Sequence, residues 1–416
     1  MIRSRFGYTL LLYALLPLVL LRLVWRARRQ PAYLRYIPER FGFYRQQATR
    51  PLVWLHAVSV GETRAVAPLI TALQDRYPGH QILLTHMTPT GRETGEAIFG
   101  TDVLRCYLPY DYPGAVARFL EYFKPKAGVL METEIWANLI HGCSQRQIPL
   151  YLVNARLSEK SFARYRRFAV LARKSLGELS AVAAQTRDDA GRLSELGAAN
   201  VTVAGNIKFD IVPPAAQLEL GRVWRTGYGE GRPVLLAAST RDGEEDMLLD
   251  ALEQLAVPSL LTVVVPRHPQ RFDQVAALMA RRGICFQRRS SEAAIAAETR
   301  VLLGDSMGEM FAYYAACDVA FIGGSLLPYG GQNLIEACAA GKPVLVGPHT
   351  YNFSEATELA IAAGAAIRVR DIGELTQVVR RLLMDRAEVT RMAGAALAFS
   401  RAHQGATQRV LELLRF

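Results

Sequence analysis

The feature that most constrains this chain is an alternation, from about residue 51 onwards, of short apolar runs with longer amphipathic stretches. Short apolar runs are typical of strands that are buried on both faces of a sheet, and the amphipathic stretches between them are typical of crossover helices. The alternation therefore predicts an α/β fold built on parallel sheets.

The predicted strands form two series, which indicates two doubly wound domains. The first series covers residues 51–59, 81–87, 127–131, 149–153 and 201–204, and the second covers 233–238, 261–265, 301–303, 319–322 and 343–346. Helices are predicted at 63–77, 113–123, 161–179, 243–255, 271–282, 309–317, 333–340 and 355–363, and residues 372–416 are expected to form two or three more. We interpret 211–232, which contains two prolines and a glycine-rich end, as a linker. The predicted parts are a membrane anchor (1–30), a first domain (31–210), the linker (211–232) and a second domain (233–416).

The segment that precedes the first strand predicts attachment to a membrane. Residues 6–21 are apolar, and residues 1–50 carry ten arginines, no lysine and one acid, which is +9 of the total charge of +11. Arginines lie before the apolar run (Arg3, Arg5) and in larger number at or after its end (Arg22, Arg26, Arg28, Arg29). By the positive-inside rule this predicts that the main body lies in the cytoplasm. Because arginines and Pro31 follow the apolar run instead of a small-residue cleavage site, we expect the anchor to be uncleaved. A cleaved signal peptide and a helix lying on the membrane surface remain alternatives.

Polar residues directly follow many of the predicted strands, where open parallel sheets bind their ligands. These segments are 60–63, 132–134, 205–208, 266–268, 305–309 and 323–333. The chain contains no G-x-G-x-x-G, Walker A, H-E-x-x-H or G-x-S-x-G motif and no C-x-x-C pair. Dinucleotide enzymes, P-loop NTPases, zincins, α/β-hydrolases and thiolate zinc sites are therefore disfavoured.

In the first domain, Glu62 has two interpretations. Ser59 and Glu62 have the spacing of a capping box, which is a structural role. Alternatively Glu62 is a general base at the end of a strand, open to close approach because Gly61 has no side chain. Glu132 and Lys208 also follow predicted strands, but each could be an ordinary helix-start acid or solvated lysine.

In the second domain, glycines precede two predicted helices, at 306–309 and 330–333. Free backbone N–H groups at such helix starts favour phosphate binding. Arg267 adds a cation, and Glu336 could accept hydrogen bonds from ribose hydroxyls. This pattern indicates a nucleotide site, although turn glycines and a surface acid would explain it too.

Taken together, these motifs resemble the 3-deoxy-D-manno-octulosonic acid (Kdo) transferases of Gram-negative lipopolysaccharide assembly. The resemblance spans the whole chain. Its motifs are 55–63 (LHAVSVGET), 86–91 (HMTPTG), 107–111 (YLPYD), 131–134 (METE), 154–158 (NARLS), 205–210 (GNIKFD), 265–269 (VPRHP), 304–309 (GDSMGE), 323–325 (GGS) and 347–350 (GPHT).

The resemblance implies a GT-B glycosyltransferase, with two Rossmann-like doubly wound domains facing a cleft. By motif, Glu62 is similar to the family's catalytic base, and Glu132 and Lys208 to residues that stabilise the transition state. The implied CMP-binding residues are Arg267, His268, Met307, Gly308, Glu309, Asn333, Leu334, Ile335 and Glu336. Residues 330–334 (GGQNL) depart from the pattern of relatives, which often have His and Pro beside the Asn. This departure puts only fine donor contacts in doubt.

The implied reaction is inverting transfer of Kdo from CMP-Kdo to the lipid A precursor (tetraacyldisaccharide 4'-phosphate, lipid IVA), with release of CMP. Arg267 and the amides of Met307 and Gly308 would hold the leaving phosphate. Because CMP presents a single phosphate and no D-x-D pair follows a strand, we expect neither a cofactor nor an obligatory metal ion. The expected partners are CMP-Kdo, the glycolipid and the inner membrane, and no nucleic acid.

The basic amino-terminal segment fits an acceptor that is a phosphorylated glycolipid in the membrane. Candidate arginines at the lipid surface are Arg26, Arg28, Arg29, Arg35 and Arg40, although each could serve only to set topology. Two other functions remain open: a membrane-tethered nucleotide-sugar epimerase, and a nucleotide-sugar-binding protein of GT-B shape without catalysis.

Overall fold

The chain divides into two compact units in a computed structural model that describes residues 4–28, 30–229, 231–255 and 257–416, with only the backbone of Glu253. Unit 1 comprises Met1–Asp210 together with Gln404–Phe416, and unit 2 comprises Ile211–His403. Arg3 and Arg29, two of the arginines considered above, lie outside the described residues.

Unit 1 contains a seven-stranded parallel sheet with helices between its strands. In chain order its elements are α1 (Arg5–Ala27), β1 (Leu52–His56), α2 (Val60–Ala65), α3 (Ala67–Arg76), β2 (Gln81–His86), α4 (Pro89–Phe99), β3 (Val103–Tyr107), α5 (Pro113–Phe123), β4 (Ala127–Met131), α6 (Ala137–Gln145), β5 (Leu150–Ala155), α7 (Glu159–Arg166), α8 (Ala169–Gly177), β6 (Ala181–Ala184), α9 (Arg187–Glu195), β7 (Val201–Val203) and α18 (Ala406–Leu413). Short 3-10 helices lie at Pro31–Leu34, Ile37–Phe41 and Ile207–Phe209. The strand order is β3-β2-β1-β4-β5-β6-β7.

Unit 2 repeats this plan with a second seven-stranded parallel sheet. Its elements are α10 (Ala215–Gly227), β8 (Val234–Thr240), α11 (Glu244–Gln254), β9 (Leu261–Pro266), α12 (Phe272–Arg281), β10 (Phe286–Arg288), β11 (Val301–Leu303), α13 (Met310–Ala316), β12 (Val319–Ile322), α14 (Ile335–Ala339), β13 (Val344–Val346), α15 (Ser354–Ala362), β14 (Ala366–Arg368), α16 (Ile372–Met384) and α17 (Arg386–His403). Short 3-10 helices lie at Pro269–Arg271 and Arg289–Ser291. The strand order is β10-β11-β9-β8-β12-β13-β14.

The apolar runs form strands because both faces of each sheet are covered. In β1, Val53 and Leu55 belong to the core on one face of the sheet, whereas Leu52 and Trp54 belong to the core on the other. All five residues of β1 are buried. Burial on both faces explains why the strand is continuously apolar instead of alternating.

All ten predicted strands are present, and four strands were not predicted: β3, β6, β10 and β14. Three of these, β3, β10 and β14, lie at sheet edges, where an arginine in the strand is tolerated. Their mixed polarity leaves no apolar run by which the sequence could reveal them. The predicted helix at 63–77 is two helices, α2 and α3. The second begins at Ala67, directly after Val66, and Pro68 lies in its first turn, where a proline is tolerated.

The predicted domain boundaries require two corrections. Residues 211–232 are not a plain linker, because they contain α10, which packs on α13 with the rings of Trp224 and Tyr313 5.0 Å apart. The carboxy-terminal helix α18 belongs to unit 1, where Ala406 and Val410 are in the core and Asp210 accepts a 2.6 Å hydrogen bond from the N–H of Gly405. An amphipathic helix carries no local signal for which of two sheets it will cover, so the sequence could not reveal this.

Helix α1 lies along the surface of unit 1 and contacts it near both ends. Near its start, Thr9 Oγ1 donates a 3.0 Å hydrogen bond to Asn138, and the hydroxyl of Tyr8 hydrogen-bonds the carboxylate of Asp111. Near its end, Leu23 and Ala27 are buried, beside the 3-10 helix at Pro31–Leu34. By length and composition α1 could cross a membrane, and it is the one such helix in the described ranges. If α1 crossed a membrane, its first residues would lie about 30 Å from unit 1. The contacts of Tyr8 and Thr9 with unit 1 therefore favour a helix that lies alongside this unit.

The face of α1 that points away from unit 1 is apolar and exposed. It presents Phe6, Leu10, Leu18, Leu21, Val24 and Trp25. An apolar face of this kind, on a helix whose other face is packed, is the arrangement expected of a helix in contact with lipid.

Candidate active site

The candidate catalytic residues of unit 1 surround the point where the strand order of its sheet reverses. From β1 the chain adds β2 and β3 on one side, and then returns to add β4 on the other side of β1. The loops that leave β1 and β4 therefore diverge and open a crevice at the carboxyl edge, which is the usual ligand site of such sheets. Glu62 follows β1 and Glu132 follows β4.

Glu62 is buried in this crevice, with an exposed fraction of 9%. Its carboxylate accepts hydrogen bonds of 2.8 Å from the N–H of Val58 and from the hydroxyl of Ser59. Ser59 also caps α2 by accepting from the N–H of Glu62, so half of the predicted capping box is present, while the Glu62 carboxylate bonds the N–H of Val58 instead of that of Ser59. Burial raises the pKa of Glu62, and the two hydrogen bonds oppose that rise. The structural role and a role as base are thus compatible, because the cap holds the carboxylate in place.

Gly61 leaves room beside Glu62. A Cβ atom built at Gly61 would approach only Ser59 Oγ, at 3.9 Å. Space that the protein itself leaves open next to a buried carboxylate can admit a substrate hydroxyl, as expected from the sequence.

Glu132 and Lys208 are brought together by the fold. Lys208 Nζ lies 2.8 Å from Glu132 Oε1, and each side chain is about one-third exposed, at 31% and 32%. Both charges act on the Glu62 carboxyl: Glu132 raises its pKa and Lys208 lowers it. The three predicted residues of unit 1 therefore form one electrostatic cluster.

The backbone supports this cluster in an uncommon conformation. Glu132 has φ +59°, in the left-handed region that non-glycine residues rarely occupy. The segment with Lys208 is tied down by Asn206, which accepts a 3.0 Å hydrogen bond from the Lys208 N–H, and by Asn154, which accepts one of 3.1 Å from the Ile207 N–H. Strained residues that the surroundings hold in place are frequent at functional sites.

Glu134 joins the cluster, although it was not among the predicted site residues. Its carboxylate accepts a 2.7 Å hydrogen bond from the indole N–H of Trp136. Burial, together with the charges of Glu62 and Glu132, raises the pKa of Glu134 to about 7. The repeated acid in the motif at 131–134 was the signal that could have identified it.

In unit 2 the strand order reverses between β8 and β12, which places the segments after these strands at a second crevice. A Cβ built on Gly323 would lie 2.5 Å from the carbonyl oxygen of Ser239, so the two segments approach each other closely. The buried carboxylate of Glu244 accepts hydrogen bonds from the N–H groups of Gly324 (2.6 Å), Leu326 (3.0 Å) and Arg241 (2.9 Å). No local sequence pattern points to this role of Glu244 in shaping the crevice.

Arg267 and His268 follow β9, which is adjacent to β8, and therefore lie at the same edge of the sheet. Arg267 Nε donates a 3.1 Å hydrogen bond to Gln332 in the loop after β12. Burial lowers the pKa of His268, and the cations Arg241, Arg267 and Arg271 lower it further. Arg241 and Arg267 thus bring positive charge to this edge of unit 2, whereas Arg271 is paired with Asp242 and Glu245.

Residues 307–309 lead into α13, whose start lies one residue after the predicted one. The helix begins at Met310, Glu309 is its cap, and Gly308 has φ +79°. Glu309 Oε1 lies 3.2 Å from Arg289, and the side chain of Met307 is exposed. The turn places the backbone amides of Met307 and Gly308 between the carboxyl end of β11 and the start of α13.

Asn333 likewise lies before its helix. Its Oδ1 accepts a 3.0 Å hydrogen bond from the Ile335 N–H, and its Nδ2 donates one of 3.0 Å to Glu336. Leu334 and Ile335 are each 1% exposed, so their side chains belong to the core and only their backbone is available to a ligand. Glu336 is therefore oriented by Asn333.

No cluster of three or more His, Cys, Asp or Glu side chains suited to a metal ion occurs within the described ranges. The expectation that transfer needs no obligatory metal stays a prediction.

Comparison with known proteins identifies the family. Residues 35–211 match the family model described as 3-deoxy-D-manno-octulosonic-acid transferase (kdotransferase), and residues 284–398 match that of glycosyl transferases group 1. The 3-deoxy-D-manno-octulosonic acid transferase of Bordetella pertussis is 46% identical over 98% of both chains. The protein of that name from Haemophilus influenzae is 37% identical over 99% of this chain and 98% of its own. This chain belongs to the Kdo transferase family.

The Kdo transferase family consists of glycosyltransferases, so the chain is an enzyme. Solved structures support its fold. A glycosyltransferase from Rickettsia africae has a TM-score of 0.58 at 14% identity, covering 88% of this chain and 98% of its own. A UDP-GlcNAc 2-epimerase from Neisseria meningitidis has a TM-score of 0.57 at 17% identity, covering 87% and 99%. These likenesses agree with the GT-B fold, and because both activities use it, the family and not the fold identifies the chemistry.

Proposed function

We propose that this Kdo transferase moves Kdo from CMP-Kdo to a hydroxyl of the lipid A precursor, lipid IVA, with inversion at the anomeric carbon and release of CMP. The observation that carries the proposal is the buried Glu62 carboxylate beside the Lys208–Glu132 pair, at the switch point of unit 1. The charges of Arg241 and Arg267 near His268 in unit 2 support the choice of an anionic nucleotide sugar as donor.

In the proposed reaction Glu62 takes the proton of the acceptor hydroxyl as its oxygen attacks the anomeric carbon. The bond between that carbon and the CMP phosphate breaks, and its electron pair leaves with the phosphate. Attack on the face opposite the leaving group gives inversion. The raised pKa of Glu62 makes it a better proton acceptor than an ordinary glutamate, while its hydrogen bonds to Val58 and Ser59 help to keep it ionised.

Lys208 and Arg267 supply positive charge in this proposal. Lys208, paired with Glu132, stabilises the transition state, and Arg267 with the amides of Met307 and Gly308 holds the departing phosphate. Glu336, oriented by Asn333, accepts hydrogen bonds from the ribose of the nucleotide. No step requires a resident cofactor or metal ion.

The enzyme is proposed to work on the cytoplasmic face of the inner membrane, held there by α1. Support comes from the apolar outward face of α1 and from the arginines of residues 1–50. Anionic lipid headgroups attract such a basic segment by about 1 kcal/mol for each cation near the surface.

The decisive experiment incubates the full chain in detergent with CMP-Kdo and lipid IVA, followed by mass spectrometry of the lipid and NMR of the new anomeric centre. We expect lipid IVA to gain the mass of Kdo with release of one CMP for each sugar, and the anomeric configuration to invert. Retention of configuration would contradict the single displacement. An epimerised nucleotide sugar, or CMP-Kdo binding without transfer to any lipid, would overturn the proposal in favour of its two rivals.

A further inference from the structure

Unit 1 contains an apolar cavity that is walled on one side by α1. Its volume is about 230 Å³, and its walls come from α1, the start of α6, α7 and α8. Leu11 of α1 and Leu171 of α8 both line it, and Ile135, Phe168 and Tyr165 supply most of the remaining apolar wall. A cavity lined in this way favours an apolar ligand over a sugar or a nucleotide.

One side of this cavity is continuous with the surface expected to meet lipid. Tyr8 and Leu11 line the cavity, while Phe6 and Leu10 of the same helix are exposed. Phe168 is itself partly exposed, so the apolar surface extends beyond the cavity wall. The cavity therefore adjoins the exposed apolar surface of α1, from which an apolar chain would enter it.

The other side of the cavity reaches the candidate catalytic cluster. Ile135 directly follows Glu134, and the carboxyl group of Glu134 interacts electrostatically with Glu62 and with Tyr165 of the cavity wall. A ligand whose apolar part fills the cavity would thus place the group attached to it close to the carboxylates.

We propose that this cavity binds one fatty acyl chain of the glycolipid acceptor and thereby positions the acceptor sugar at Glu62. The proposal rests on the proposed function, because it requires that the acceptor be an acylated sugar. It also gives α1 a second role: besides attaching the enzyme to the membrane, α1 forms part of the acceptor site.

The test compares two tryptophan substitutions in adjacent positions. Leu171→Trp fills the cavity, and the matched control Val170→Trp adds the same side chain on the exposed face of α8. For each full-length variant in detergent, KM is measured for lipid IVA and for the same phosphorylated disaccharide without acyl chains. We expect Leu171→Trp to reduce the preference for the acylated acceptor at least tenfold, since the displaced methylenes lose their burial. Val170→Trp should leave that preference as in the wild type.

An equal preference in Leu171→Trp, Val170→Trp and the wild type would overturn the inference. Because Leu171→Trp could fold poorly, a second measurement uses the wild-type enzyme with a lipid IVA analogue that carries a photoreactive diazirine in one acyl chain. Labelling of peptides from α8 or from the start of α1 would support the cavity, and labelling confined to other parts of the chain would refute it. If the wild type transfers Kdo to no lipid acceptor, the proposed function itself fails, which is a distinct outcome.

Discussion

The ammonium group of Lys208 lies 2.8 Å from the carboxylate of Glu132, although 76 positions separate the two residues in the sequence. Each follows a strand of the same parallel sheet, so the shared carboxyl edge brings them together. Both side chains are about one-third exposed, and ion pairs at such sites contribute at most about 1 kcal/mol to stability. The pair therefore has little value for folding, and in the proposed reaction it stabilises the transition state beside Glu62.

Replacing Lys208 by methionine should separate the contribution of the ion pair to stability from its contribution to the proposed reaction. We expect the free energy of unfolding to fall by less than about 1 kcal/mol, because the pair is solvated. Turnover should fall roughly 10²- to 10³-fold, the usual effect of removing an electrostatic contact to a transition state. The control is Arg192→Met, which breaks the pair of Arg192 with Asp189 in the same unit and should leave turnover near normal. Similar turnover in the two variants would remove Lys208 from the proposed mechanism.

The variant Glu62→Gln tests the proposed base. Glutamine retains an oxygen that can accept the hydrogen bond from Val58, but it cannot take a proton from the acceptor. We expect turnover to fall roughly 10²- to 10⁴-fold, the usual size of a proton-transfer contribution. CMP affinity, measured by calorimetric titration, should be unchanged. Near-normal turnover would leave Glu62 with its capping role alone.

The two roles of Ser59 can be separated through the pH dependence of transfer. Its hydrogen bond lowers the pKa of Glu62, so Ser59→Ala should raise that pKa. Because a base must be ionised to act, the acid limb of the profile of kcat/KM against pH should move to higher pH. Thr186→Ala is the matched control, since Thr186 caps α9 in the same way, with its hydroxyl bonded to Asp189. Each substitution should lower stability by about 1 kcal/mol. Identical pH profiles in the two variants would contradict a base at Glu62.

The buried carboxyl group of Asp111 should make the free energy of unfolding depend on pH. Its buried carboxyl accepts hydrogen bonds from two backbone N–H groups, yet burial raises its pKa from 3.8 to about 6. A raised carboxyl pKa favours the neutral form in the folded state, so its stabilising contribution is complete below about pH 4 and is lost as pH rises through 6. The loss is at most about 3 kcal/mol. Urea unfolding of Asp111→Asn should lack this part of the slope that the wild type shows, and an unchanged slope would be evidence against this assignment.

Gly323 should be required for the shape of the donor crevice. A Cβ at this position would lie 2.5 Å from the Ser239 carbonyl oxygen, so Gly323→Ala must displace backbone at the ends of β8 and β12. We expect CMP affinity, measured by calorimetry, to fall at least roughly tenfold, since each hydrogen bond to the ligand that this displacement breaks contributes on the order of 1 kcal/mol. In the control Gly394→Ala, in α17, a Cβ would meet no atom within 4 Å. That variant should bind CMP normally and gain up to about 1 kcal/mol of stability. Equal CMP affinity in both variants would refute the assignment.

Local sequence patterns are sufficient to predict the two parallel sheets and the segments at their carboxyl edges. Apolar runs become strands buried on both faces, and residues directly after parallel strands must share one edge. Glu62, Glu132 and Lys208 can be placed at one sheet edge for this reason, whereas their roles were implied only by the family resemblance. The edge strands β3, β10 and β14 cannot be predicted from the sequence, because their polar residues lack a local pattern.

Only the tertiary structure determines which strands, helices and side chains contact one another. Folding places β4 beside β1, returns α18 to unit 1, lays α1 against α6 and adds Glu134 to the cluster around Glu62. Each of these outcomes depends on contacts between residues that are distant in the chain. The local sequence of an amphipathic helix or a single carboxylate does not specify which surface it will contact. Long-range packing therefore sets their positions.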